Sequence, residues 1–335
     1  FLALAVGAIV SVVAAAVVYT SSTGWSTVAQ HGVPLFPNLR SGKPDIEVVA
    51  IASGDKTLTL ENHDQKWTAK ERSGYPVQAD KVRELIRGLS EAELVEAKTR
   101  NKQRYALIGL EDPTDKDASS KLLRLIDGKG NIVAEVIVGN TRQDAFGEGK
   151  VGTYIRKPGD EQTWLVNTDI EPSVELADWV DPSLFQAPQD QVVHLDVTVP
   201  GEDVLNIQPS QDKRRFGLAN MPEGMKLKYD NALDDIVEAA TDISFDDVKK
   251  VDGPLSGDKV GTAVLQLSNG LKVSMAIEPG EHDAWLTLEA SGEGEAKKTA
   301  DELNARAKGW AFHIPASKAK SILVHREEFL EKVAS

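Results

Sequence analysis

The sequence predicts an α+β protein: an N-terminal transmembrane helix followed by two repeated domains, each a mainly antiparallel sheet with one principal amphipathic helix. Three observations predict it. An apolar run opens the chain, short alternating segments between turn residues fill most of the rest, and one strand, turn and helix pattern is written twice in the same order.

The first writing of that pattern is Trp67 to Ala97. Val82, Leu85, Ile86 and Leu89 fall at i, i+3, i+4 and i+7 and share one helix face, while Lys81, Arg83, Glu84 and Arg87 point elsewhere. Pro76 cannot sit inside the helix and Asp80 suits its first turn, so the start is expected near residue 79. The second writing has Phe216, a turn at Met221-Pro222-Glu223-Gly224, and Leu233, Ile236, Val237 and Ala240 at the same spacing. Its later strands follow at a nearly constant offset. The expected repeats are 45–186 and 187–335.

Phe1 to Tyr19 is almost wholly Ala, Val, Leu and Ile, and no Lys, Arg, Asp or Glu precedes Arg40. As a helix, a run of this length crosses the roughly 30 Å of bilayer hydrocarbon. Residues 1–20 are therefore read as a membrane anchor with Leu4, Val6, Ile9, Val13 and Val17 in the hydrocarbon and Tyr19 and Trp25 at the interface. A cleaved leader is the competing reading, with Ala14-Ala15-Ala16 as its small residues, but the run is longer than such leaders need. Residues 21–44, rich in Ser, Thr, Gly and Pro, read as an extended stalk. Within it Val33, Leu35 and Phe36 are apolar, either packed back on the first domain or available to a partner.

From Asp45 the chain alternates. Ile46 and Val48 lead through Ser53-Gly54-Asp55 to Leu58 and Leu60; after the helix come Leu123 and Leu125, a turn at Asp127-Gly128-Lys129-Gly130, Ile132 to Val138, Tyr154-Ile155 and Trp164-Leu165-Val166. A short helical piece is expected near Ser173 to Ala177. The second half retraces this from Val193 and Leu195, with Asn269-Gly270 predicting a tight two-residue hairpin and Thr299 to Lys308 an added helix. Phe329-Leu330 is matched to Leu184-Phe185.

Composition narrows the function. With 335 residues, 41% hydrophobic, the chain can bury a substantial core. Fifty-two acidic residues against thirty-eight basic ones give a formal charge of -14, which repels nucleic acid. The absence of cysteine removes disulfides, thiolate catalysis and thiolate-bound metals.

Pro34-Leu35-Phe36-Pro37, Trp67 with Gly74-Tyr75-Pro76 and its helix, Tyr105, Leu107 to Pro113, Val138-Gly139, Thr153 to Arg156 and Trp179-Val180-Asp181 together resemble the bacterial family called domain of unknown function four-three-four-zero. The likeness runs over about residues 30–185 and more loosely over the second copy. It implies one transmembrane helix in the bacterial inner membrane, a periplasmic folded region, and an accessory role beside an ABC transporter permease, its ATPase and a second gliding-motility-type periplasmic subunit. The family supplies no catalytic residues to carry over. Met221-Pro222 stands where the first copy has Tyr75-Pro76, a departure between the copies.

The remaining candidates for chemistry are weak. Gly147, Gly149 and Gly152 fit the spacing of a phosphate loop but precede a strand, so a hairpin loop is expected, with Arg142 beside it as a candidate partner contact. Asp234-Asp235 and Asp246-Asp247 are adjacent and diverge, and the six histidines show no metal-ligand spacing. Lys213-Arg214-Arg215 reads as an exposed turn. The expectation is a non-enzymatic subunit without cofactor or metal, contacting membrane lipid and protein but not nucleic acid; the alternative is a periplasmic hydrolase or a lipid- or glycan-binding protein of the envelope.

Overall fold

The structure, a computed structural model, describes residues 32–42, 44–211 and 215–333. The anchor residues Leu4, Val6, Ile9, Val13, Val17, Tyr19 and Trp25, and the basic pair Lys213-Arg214, lie outside them. Among the described residues no helix is long and apolar enough to cross a membrane.

In chain order the first half holds β1 (Val33–Pro34), α1 (Pro37–Gly42), β2 (Ile46–Ser53), β3 (Lys56–His63), β4 (Lys66–Ala69), β5 (Tyr75–Pro76), α2 (Ala79–Glu91), β6 (Glu93–Ala97), β7 (Lys121–Asp127), β8 (Ile132–Arg142), β9 (Gly152–Arg156) and β10 (Thr163–Val166). The second holds β11 (Ser183–Gln186), β12 (Val192–Thr198), β13 (Leu205–Pro209), β14 (Phe216–Leu218), β15 (Met225–Leu227), α3 (Ala232–Thr241), β16 (Asp242–Ser244), β17 (Asp247–Lys250), β18 (Gly261–Leu267), β19 (Lys272–Pro279), β20 (Asp283–Ser291), α4 (Glu295–Ala307), β21 (Trp310–Pro315), α5 (Ala316–Ile322), α6 (Arg326–Phe329) and β22 (Leu330–Lys332). This is a mixed α+β protein with mostly antiparallel sheets and few helices. Its chain divides into two compact units, Phe1–Thr57 with Arg83–Pro172 and Leu58–Val82 with Ser173–Ser335.

In the first unit the strands run β1-β6-β10-β9-β8-β7-β2; in the second, β14-β13-β12-β18-β19-β20-β21-β17, with β3, β4 and β5 also neighbours in that order. The order β6-β10-β9-β8-β7-β2 and the order β17-β21-β20-β19-β18-β12 are the same walk through corresponding segments. Val82, Leu85 and Leu89 of α2 are buried and Ile86 half-buried, while Leu233, Ile236, Val237 and Ala240 of α3 are all buried. Each of the fully buried Val, Leu and Ile side chains contributes on the order of 1.5–3 kcal/mol by leaving water.

Several local expectations change. The stalk's last stretch is folded: residues 33–42 form β1 and α1, with Leu35 and Leu39 buried four residues apart and Pro37 opening the helix. The same device recurs in the second half. Leu35 N–H, just after β1, donates to the carbonyl of Ala92 at the end of α2 at 2.8 Å, and Ala187 N–H, just after β11, donates to Thr241 at the end of α3 at 2.9 Å. β1 pairs with β6 as β11 pairs with β16. The apolar segment is thus the first strand of a repeating element.

Val49 and Ile51, not Val48, face inward from β2, because a register shift between Ile46 and Val48 moves the alternation by one residue. Asn269-Gly270 forms a three-residue loop in which Leu267 N–H donates to Leu271 O at 2.8 Å and Gly270 takes φ 87°. The helical piece near Ser173 is a 3-10 turn at Leu176–Trp179. Its Trp179 carbonyl accepts from Gln78 N–H, as the Phe329 carbonyl accepts from Lys228 N–H, so Phe329 corresponds to Trp179 and not to Leu184.

Candidate functional site

Of the expected contact residues, Val33 is 52% exposed on the sheet-edge strand β1. Leu35 corrects the expectation: at 1% exposure it belongs to its own unit's core and offers nothing to a partner. Phe36 is half-buried with the Lys157 ammonium 5.3 Å from its ring centroid. Arg142 is exposed at the end of β8, opposite Gly152, beside the glycine loop. That loop is closed by Asp144, which accepts from Gly149 N–H at 2.7 Å, and it enters a strand, so it has no helix N-terminus to hold phosphate.

The ionisable groups that stand together are mostly spent on structure. Asp234 accepts from Arg215 at 2.7 Å and from Phe216 N–H at 2.9 Å, pinning β14 to α3. Burial raises the Glu111 carboxyl, yet its hydrogen bonds from the Ser119 hydroxyl and from main-chain N–H groups outweigh burial and hold it below the usual range. Glu202 is likewise lowered against its burial, by His325 and the Arg326 N–H, and the same hydrogen bond raises His325. His194 lies 2.8 Å from Asp196, which also accepts from Asn206. His313 sits against the Asp246 carboxylate through Nδ1, with Asp283 at 3.8 Å from Nε2 and Trp285 at a ring distance of 5.2 Å. Its two carboxylates lie on opposite ring nitrogens and do not converge. Among the described residues no group of three or more His, Asp or Glu side chains could hold a metal ion.

The second unit also holds an aromatic cluster assembled from residues far apart in the chain. After the 3-10 turn Lys70–Arg72, Ser73 takes a left-handed φ of 54° and the chain delivers Tyr75 into a site that leaves it 5% exposed. Its ring meets Trp310 at 4.9 Å, Phe245 at 6.2 Å and Phe312 at 6.4 Å, all edge-on. Arg72 pairs with Asp247 on the edge strand β17, and that pairing raises the guanidinium further above its ordinary value. Burial pushes the Tyr75 phenol up; nearby Arg306 opposes this and Asp181 adds to it. The signals were present as Gly74-Tyr75-Pro76 and Trp310-Ala311-Phe312, but nothing in periodicity joins residues so distant in sequence.

Arg306 leads to a groove of about 310 Å3 in that unit. One wall is β11, with Leu184 and Gln186; the other is α4, which presents Thr299, Leu303 and Arg306 at i, i+4 and i+7. The adjoining side of α4 carries buried Ala296, Ala300 and Ala307, small enough to lie close on β20, and Asn304 fixes the helix by bonding both Ala290 N–H (2.8 Å) and Ala290 C=O (2.7 Å). The hairpin tip at Asn269 lines one end. Arg306 donates to the Asp181 carbonyl at 3.2 Å and makes no ion pair among the described residues.

Fold and site together define a mainly antiparallel α+β protein whose accessible features are strand edges and a groove. The family model described as Domain of unknown function (DUF4340) matches residues 67–259, more than half of the chain, and the chain belongs to that family. The match begins at Trp67 and crosses into the second half, beyond the 30–185 span expected. No curated protein and no solved structure matches the chain.

Proposed function

We propose that this chain is a non-enzymatic subunit anchored in the bacterial inner membrane by its apolar N-terminal run. Its folded region stands in the periplasm and binds and positions an ABC transporter permease with its ATPase and a second gliding-motility-type periplasmic subunit. The observation that carries the reading is the run Phe1–Tyr19, without a charged residue until Arg40, in a member of a family whose resemblance implies that setting. Because β1 begins at Val33, only residues 20–32 separate the run from the fold. At about 3.3–3.6 Å per residue they reach no more than roughly 47 Å, which keeps the folded region beside whatever shares the membrane. The engagement of Glu111, Glu202 and Asp234 in caps and pairs supports binding over covalent chemistry.

The test is affinity purification of the full chain from native membranes in a mild detergent, with identification of what accompanies it. A permease and an ATPase in comparable amounts are expected. A chain that emerges as a partner-free monomer contradicts the reading.

A further inference from the structure

The first unit carries a basic stretch in an otherwise acidic protein. Between Glu96 and Glu111 the chain has Lys98, Arg100, Lys102 and Arg104 and no acidic residue, against a formal charge of -14 for the whole. Lys98 pairs with Glu96 at 2.5 Å, and Lys102 holds Glu161 at 3.5 Å with both side chains largely exposed. Arg100 donates to the Gln162 side chain at 2.9 Å, and Arg104 makes no side-chain hydrogen bond or ion pair among the described residues. Neither guanidinium has a carboxylate partner there. Lys102–Ile108 is a 3-10 turn, in which residues three apart lie one above the other. Tyr105, 4% exposed, and half-buried Ile108 pack with Leu110 and Ile137, and the Tyr105 hydroxyl donates to Glu161 O at 2.6 Å. Arg104 and Leu107 therefore share an outward side. Leu107 is 76% exposed, more than any other large apolar side chain among the described residues.

The stretch starts where the chain arrives. β1 runs antiparallel to β6, Val33 opposite Leu94 and Pro34 opposite Glu93, so the chain enters β1 from the end of β6 that closes at Ala97. Lys98 follows Ala97 at once, and the β9–β10 connection ties it to that end, Lys98 N–H donating to Thr163 O and Thr163 N–H to Thr99 O.

We propose that Arg100, Lys102, Arg104 and Leu107 form a surface that lies on the membrane carrying the anchor, the cations on anionic phospholipid headgroups and Leu107 in the boundary beneath them. Each guanidinium can donate two hydrogen bonds to one phosphate, and the exposed pairing of Lys102 with Glu161 is weak enough to be exchanged for a headgroup. Leu107 leaves water for the top of the hydrocarbon, which a soluble polyanion does not offer. Three cations and one leucine hold a free protein poorly. Residues 20–32, reaching no more than roughly 47 Å, keep the surface at high local concentration, so the contact orients the first unit and does not recruit it. This deepens the membrane reading above and rests on the anchor, not on the transporter partners.

Hydrogen exchange on the full chain in lipid nanodiscs tests it, one set made of phosphatidylcholine alone and the other of phosphatidylcholine mixed with anionic phosphatidylglycerol. Peptides covering residues 98–108 are expected to exchange about fivefold more slowly in the anionic discs, and high salt to remove the difference. Peptides from β7 and β8 are expected to exchange alike in both discs and in every variant, which reports an intact fold. Arg100→Gln combined with Arg104→Gln, each contributing about fivefold in surface affinity, is expected to erase the slowing. Leu107→Ser, at an exposed site, is expected to reduce it. Equal exchange at 98–108 in the two discs, slowing that survives the double variant, or slowing that appears only when membrane protein is added overturns the proposal. The discs hold no permease or ATPase, so this result and the co-purification stand or fall separately.

Discussion

Tyr75 meets Trp310 edge to face, ring centroids 4.9 Å apart and planes at 89°, although the two residues come from opposite halves of the chain. This pair explains why Leu58–Val82 belongs to the same compact unit as Ser173–Ser335. Truncating Tyr75 to Ala is expected to cost about 3–5 kcal/mol in unfolding free energy, as for other large buried aromatics, while Tyr75→Phe costs under about 1. Denaturant melts of both variants check it.

The same residue gives the chain an alkaline limit. Burial raises the Tyr75 pKa, so the folded state keeps its proton more tightly than the unfolded chain, whose tyrosines ionise near pH 10. The contribution is therefore complete below about pH 10 and is lost as pH rises from there through the raised folded value. Tyr75→Phe is expected to flatten the loss of stability in this window, measured by melting at successive alkaline pH values.

Arg72 and Asp247 are each about one-third exposed, at 31% and 34%, so solvent screens their pairing. A double-mutant cycle with Arg72→Ala and Asp247→Ala is expected to give a coupling of about 1 kcal/mol, shrinking in high salt. The pair also guards a sheet edge: Asp247 accepts from the Val248 N–H at 2.8 Å, a strand amide otherwise open to pairing.

Much of this architecture could be read from residues alone. The helix faces of α2 and α3, the hairpins around Gly128 and Asn269, and the added helix α4 follow from local spacing, which a sequence carries directly. What escaped was non-local. The strand at Val33–Pro34 is two residues long and depends on Leu94 and Glu93 as partners, so composition alone made it look like a linker. The shift in β2 that turns Val48 outward depends on β7, and the grouping of Tyr75 with Phe245, Trp310 and Phe312 depends on the fold. The groove is made by one helix face and one strand edge, neither of which has a motif.

Glu202 and His325 form a pair with a defined pH window. The raised His325 contributes fully below the ordinary histidine value of about 6.5 and loses its contribution as pH rises through the folded value. The lowered Glu202 contributes above its ordinary value of about 4.3 and loses its contribution as pH falls through the folded one. The pair is therefore strongest between about pH 4.3 and 6.5. In NMR titrations Glu202→Gln is expected to bring His325 down toward the ordinary histidine value of about 6.5.

Gly139 lies where a Cβ would come within 2.4 Å of the Ile108 carbonyl and 2.7 Å of the Gly109 carbonyl, both backbone atoms. Gly139→Ala is expected to destabilise by about 1–3 kcal/mol, whereas Gly253→Ala, with open space around it, stays within about 0.5. Thermal melts of the two side by side separate close packing from a general intolerance of the added methyl.

The placement of the folded region on the periplasmic side of the inner membrane is the claim from which the transporter role follows. The chain has no cysteine, so Arg142→Cys introduces a single thiol at the exposed end of β8 in the first unit. In intact cells with a permeabilised outer membrane, a membrane-impermeant maleimide is predicted to label that thiol as fully as it does after lysis, in a chain that stays with the membrane through alkaline carbonate. Labelling that appears only after lysis, or release of the chain by carbonate, would contradict the account.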